Sequence, residues 1–207
     1  FGAAQATAAS SPGTAGSNIV REMNLARQNP TLYASFVEEL RANFQGKLLV
    51  LPGRIPLRTK EGIHAVDEAI RFLRSASPQG LLTFRPECLG QRRIVAKSQA
   101  GGGMSHRGSG GSSTGDRISR YGTWSGTWGE NLSCGRSSAR EIVIALIIDD
   151  GLRNRKHRTN IFSPTFNFAG AAVGNHARYR TICSIEFAGG YVESGGPVRE
   201  TLIARNR

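Results

Sequence analysis

Lysine is scarce in this chain. It stands only at 47, 60, 97 and 156, although Lys and Arg together number 27 in 207 residues. Arginine carries nearly all the positive charge, and no Lys/Arg block of the kind found in nucleic-acid tails occurs, so nucleic acid is not indicated as a partner. Cysteine is scarce too: Cys88, Cys134 and Cys183 form no C-x-x-C pair, which argues against a zinc knuckle. At most one disulfide can close within the chain, a count that suits a secreted or lumenal protein and a reducing compartment alike. No apolar run reaches the length of a transmembrane segment. The longest, "IVIALII" at 142–148, reads as a core helix. Also missing are H-E-x-x-H, G-x-S-x-G, a P-loop and a dinucleotide fingerprint. Ser105 and Ser109 read as loop residues, which leaves no assured nucleophile.

What is present is a net charge of +12 and a pI near 10.8, with 26 glycines and a mean hydropathy of −0.29. The charge favours anionic partners: acidic polysaccharide, anionic lipid, or an acidic protein surface. Arginine forks suit phosphate and carboxylate, although a GC-rich genome produces the same bias. The length suits one domain with tails. Residues 1–16, small and polar, are expected to form a flexible N-terminal arm, residues 17–191 the domain, and residues 192–207 a basic C-terminal extension. Phe1 in place of methionine fits a processed form, and Ala4-Gln5-Ala6 resembles a small-residue cleavage site without an apolar region before it.

The periodicity predicts helices first and a hairpin last. A first helix is expected from Ser17, with Ile19, Met23 and Leu25 inward. Asn29-Pro30 starts a second, with a stripe of Leu32, Phe36, Leu40 and Phe44. Residues 46–58 read as a loop. Thr59 is expected to cap a third helix burying Ile63, Val66, Ile70 and Leu73, with His64 packed or on the surface. A fourth helix is expected over Pro86–Gln99, then the glycine- and serine-rich stretch 101–117 around His106, and a short helix "DRISRYG". Trp124 and Trp128 are expected to anchor that loop by packing. Ser138 and Glu141 form a capping box for "AREIVIALIID". That helix ends at Asp149-Asp150-Gly151, where two acids oppose the helix macrodipole and call for a cation or a functional reason. Strands 167–176 and 179–192 then alternate, with Thr181, Cys183, Ile185 and Phe187 on one face and Ile182, Ser184 and Glu186 on the other. This order predicts an α+β layered domain rather than a parallel doubly wound sheet.

His106, Glu130, Asp149 or Asp150, and His157 are the polar candidates, each in a loop or at the edge of an element. Two imidazoles and two carboxylates suit a zinc site with a position open to water, or acid–base chemistry beside a nucleophile. The spacing does not establish that they converge.

The ordered pieces "SHRG", "GENLSCG", "AREIVIALIIDDGLRNRKHRTNIF" and "FAGAAVGNHARYRTICSIEFAGGY" resemble the CAP superfamily: cysteine-rich secretory proteins, venom antigens and plant pathogenesis-related proteins. The bacterial-type branch is the nearer likeness, over about residues 17–191. The resemblance implies an α-β-α sandwich with a central antiparallel sheet, and a cleft of two histidines and two acids that binds zinc or another divalent cation in some members. Carried over by residue, the set is His106, Glu130, His157 and Asp149, with Asp150 as the alternative acid and Arg107, Arg155, Lys156 and Arg158 as the cleft rim. An aspartate reaches less far than the glutamate usual in the family, and Lys156, where the family often has glycine, adds positive charge that disfavours a bound cation. Relatives often pair the cysteine equivalent to Cys183 with one on the preceding strand; Ala172 stands there, and Cys134 is a substitute candidate.

The resemblance implies a secreted or extracellular module, or alternatively one in an organelle lumen or matrix. Three functions follow. The first is a non-enzymatic binding module, metal-binding and with an anionic partner. The second is a structural subunit of a larger assembly using its basic surface and terminal arms. The third is a metal-dependent hydrolase with Glu130 as the catalytic base. The sequon at Asn131 is discounted because the residue belongs to the "GEN" motif and is expected to be buried.

Overall fold

The structure, a computed structural model, describes residues 12–85, 116, 119 and 122–193. The expected fourth helix, the glycine-rich stretch with His106 and Arg107, nearly all of "DRISRYG", Cys88 and the outer parts of both tails lie outside the described residues. The chain is α+β. Helix α1 (Pro12–Gln28) and helix α2 (Pro30–Arg41) are followed by three two-residue strands: β1 (Phe44–Gln45), β2 (Leu48–Leu49) and β3 (Leu57–Arg58). Then come α3 (Ile63–Ser75), β4 (Thr83–Phe84), β5 (Gly122–Cys134), α4 (Ala139–Ile148), α5 (Lys156–Phe162), β6 (Phe168–His176) and β7 (Arg180–Glu193).

The main sheet runs β4-β6-β7-β5 and is antiparallel except for the short parallel β4–β6 pair. The β6–β7 hairpin forms as the alternation predicted. Its turn is held by His176, whose Nδ1 accepts from the backbone N–H of Arg178 and Tyr179. Strand β5, which the sequence read as a loop anchor, is a full strand on the open side of β7, in register from Gly122↔Glu193 to Cys134↔Ile182 with a bulge between Ser125 and Trp128. Its glycines and serines hid the alternation, because half of the strand has little apolar side chain to alternate.

One face of the sheet carries Cys183, Ile185 and Phe187 into the main core, against Ile19, Val20 and Met23 of α1 and Ile142, Val143 and Ile147 of α4. The opposite face is buried as well, and is more polar: Ile182, Ser184, Glu186 and Ala188 are all at or below 1% exposure. Burial of both faces is what a layered domain requires.

Several local expectations are revised. α1 begins at Pro12, ahead of Ser17, and within the stretch assigned to the arm Gly16 is buried; a Cβ there would strike the carbonyl oxygen of Ala171 on β6. Only hydrogen fits that approach. On α2 the buried face is Pro30, Tyr33, Ala34 and Val37, while Leu32 is half exposed. Residues 46–58 hold β2 and β3 rather than only loop. Thr59 does not cap α3; its hydroxyl bonds to the Lys47 carbonyl, and α3 starts after Gly62. Cys134 and Cys183 are both free thiols. Cys134 stands opposite Ile182 in the ladder, one residue out of step with Cys183, so the two thiols emerge on opposite faces.

Candidate functional site

The stretch 149–160 is the C-terminal knot of α4. Ser138 caps the other end, its hydroxyl accepting from the Glu141 N–H. Ten residues later the helix ends with carbonyls that have no intrahelical partner. Asp149 takes a left-handed conformation at φ 56° and Gly151 follows at φ 84°. The orphan carbonyls are then met by two arginines from downstream. Arg158 Nε donates to Ile147 O at 2.6 Å, and Arg155 Nη1 donates to Asp149 O at 2.9 Å and Leu152 O at 3.2 Å. These are the cations the two terminal acids called for.

Arg155 and Arg158 therefore do not form an outer rim. Both are buried, at 9% and 4% exposure, because α4's carbonyls and the carboxylates of Glu61, ahead of α3, and Glu68, within it, draw them inward. Arg155 bridges Glu61 at 2.7 Å through both terminal nitrogens and Glu68 at 2.6 Å. Arg158 reaches Glu68 at 3.1 Å and lies over the Phe72 ring. Hydrogen bonding from Arg155 draws the Glu61 carboxyl down from its ordinary value to about 2 and also lowers Glu68. Burial pulls the Arg158 guanidinium down, opposed by Glu68, whereas the paired carboxylates raise that of Arg155. Of the four expected rim residues, Lys156 is exposed; Arg107 is outside the described residues. Glu61 and Glu68 were not candidates from sequence. Their two-turn separation, which sets them on one side of α3's line, was the available signal.

Asp150, the alternative acid, faces the entry to α3. Its two oxygens accept from the backbone N–H groups of Lys60 and Glu61, both at 2.7 Å, and so prepare the entry to α3. In return Gly151 N–H donates to Glu61 Oε1 at 2.6 Å. Asp149 instead serves His157: Oδ1 is 2.7 Å from the ring Nδ1 and Oδ2 accepts the backbone N–H at 2.9 Å. The carboxylate is 3% exposed and the imidazole 15%. A carboxylate against Nδ1 fixes the orientation of the ring, as outer-shell acids do for metal-ligating histidines.

The knot is locked to β5. Asn131, fully buried and so removed as a glycan acceptor, donates to His157 O at 3.0 Å. Asn160 donates to Asn131 Oδ1 at 2.8 Å and to Glu130 O at 3.3 Å. The Glu130 side chain, next along the strand, points to the opposite face. There it accepts from Ser184 Oγ at 3.4 Å and stands opposite Glu186 in the ladder. The structure thus brings Asp149 and His157 together and leaves Glu130 on the far face of the sheet. Among the described residues, no three His, Cys, Asp or Glu side chains form a group able to hold a metal ion. One imidazole oriented by a carboxylate fits a single coordination position.

The class defined by these features is an α+β domain with a carboxylate-oriented imidazole at the end of a core helix. No family model matches the chain, and no curated protein matches it. Among solved structures it is similar to an outer surface protein of Borrelia burgdorferi, with a TM-score of 0.44 and 14% identity over 53% of this chain and 78% of that one. It is also similar to an extracellular protein containing an SCP domain from Bacillus anthracis, with a TM-score of 0.38 and 16% identity over 61% of this chain and 37% of that one. Likenesses this slight assign the chain to no family. No helix among the described residues is long and apolar enough to cross a membrane.

Proposed function

We propose that the chain is a non-enzymatic binding module of the CAP type, acting outside the cell or in a lumen, with His157 as its polar centre and an anionic macromolecule or assembly as its partner. The observation that carries this reading is the interlock of the two motifs behind the resemblance: Asn131 of "GEN" and Asn160 of "HRTN" bond to one another and hold the His157 segment in place. These bonds join two short motifs that are distant in sequence. The +12 charge supports the anionic partner.

His157 would offer Nε2 to a divalent cation, joined by His106. The test is a zinc titration by calorimetry of the full chain beside His106→Ala, His157→Ala and Asp149→Asn. Saturable binding lost in both histidine variants and weakened about tenfold or more in Asp149→Asn supports the metal component. Zinc bound equally by all four proteins, or by none, removes it.

A further inference from the structure

The chain's two tryptophans stand on the bulge of β5, in the run "GTWSGTWG" at 122–129. From Ser125 to Trp128 the strand takes three steps while β7 opposite takes two, from Gly190 to Ala188, and Gly126 turns the backbone at φ 76°. A bulge of this kind bends its strand and re-aims the side chains it carries. Here the indole of Trp124 stands edge-on to that of Trp128, with ring centroids 6.5 Å apart and planes at 82°. Packing accounts for Trp124, which is half-buried against Ala188 and Tyr191 and whose Nε1 donates to Ser119 Oγ at 2.9 Å. Packing does not account for Trp128, which lies on the edge strand of the sheet and is 41% exposed.

The bulge offers hydroxyl groups and no charge. Ser125 and Thr127 are both exposed. The Ser125 hydroxyl lies beside Gly190, at the spot a Cβ would fill there. Thr127 Oγ1 is 3.1 Å from Thr165 Oγ1, which is 2.8 Å from Ser163 Oγ. A hydroxyl both donates and accepts, so this border can meet another hydroxyl in either sense. In a chain that is 20% charged, neither residues 122–129 nor residues 159–177 include an Asp, Glu, Lys or Arg. A neutral ligand docks against such a surface without desolvating an ion.

We propose that Trp128 is the stacking platform of a site for a neutral β-linked glycan, with one pyranose ring laid on the indole and the sugar's hydroxyls met by Ser125, Thr127 and Thr165. The C–H bonds on one face of a pyranose with equatorial substituents make an apolar patch about as broad as an aromatic ring, with the hydroxyls around its edge. An exposed indole bordered by hydroxyls complements both parts. The area argues for a sugar over a protein: two-fifths of one indole side chain is about 100 Å², far short of the roughly 800 Å² per partner of a stable protein interface. This site goes beyond the reading above, because its ligand carries no charge and does not touch His157.

The test is calorimetry of the full chain with cellohexaose and, separately, with chitohexaose, both neutral β-linked oligosaccharides. Tryptophan fluorescence is the second readout: Trp124 and Trp128 are the only tryptophans, so a saturable change in emission reports this corner of the molecule. Saturable binding of at least one sugar is expected, weakened about tenfold or more in Trp128→Ala and largely kept in Trp128→Phe, which retains an aromatic face. Circular dichroism checks that both variants are folded, as substitutions at an exposed position should be. No saturable binding of either sugar, or an affinity unchanged in Trp128→Ala, overturns the platform. Neither result bears on zinc at His157 or on the anionic partner.

Discussion

Replacing Arg155 with methionine removes the centre of the α4 knot while keeping the length of the side chain. In the folded chain the guanidinium, 11% exposed, donates to Glu61, Glu68 and two backbone carbonyls. Breaking a buried ion pair from one side costs about 3–5 kcal/mol. Glu61 and Glu68 are 29% and 40% exposed, so water recovers part of their solvation. The expected loss is about 2–4 kcal/mol at pH 7. Acid adds a second readout. Glu61 is lowered from 4.5 to about 2 in the folded chain, so the folded form binds fewer protons than the unfolded form below neutrality. The stabilisation is fully present above the unfolded value and drains away as the pH falls through the folded one. Urea denaturation followed by circular dichroism, at steps between about pH 6 and pH 3, should show wild type losing stability over this window and Arg155→Met losing much less. A cost at pH 7 under about 0.5 kcal/mol, or the same acid slope in both proteins, would refute the knot as the anchor of this corner.

Asp150→Ala should destabilise by about 1–2 kcal/mol, as the loss of a helix-entry cap does, while Thr59→Ala should stay within about 0.5 kcal/mol; urea midpoints at one pH separate the two. Gly16→Ala should cost about 1–3 kcal/mol, because the added carbon meets the Ala171 carbonyl and α1 must lift from β6. Arg27, 1% exposed, donates to the carbonyls of Gly80, Ile161 and Ser163, so Arg27→Met should lose about 2–3 kcal/mol in the same assay; a stabilised variant would show that desolvation of the charge outweighs its bonds.

The sequence by itself determined the class, the helices α1 to α4 and the β6–β7 hairpin. Its period switches from helix to strand after residue 160, the Ser138 capping box is local, and the faces of β7 follow from alternation alone, so each was legible from neighbours in the chain. His157 and Asp149 were both candidates in the sequence, but with Asp150 as the alternative acid their pairing was left open until the fold set Asp149 Oδ1 against the ring. What only the tertiary structure decided is how charges divide their work across long sequence separations. Asp150 serves α3, Arg155 and Arg158 turn inward to Glu61 and Glu68, and Glu130 faces away from the imidazole with which its motif suggested a partnership. A carboxylate's partner depends on which donors fold brings within about 3 Å, and no local pattern records that distance.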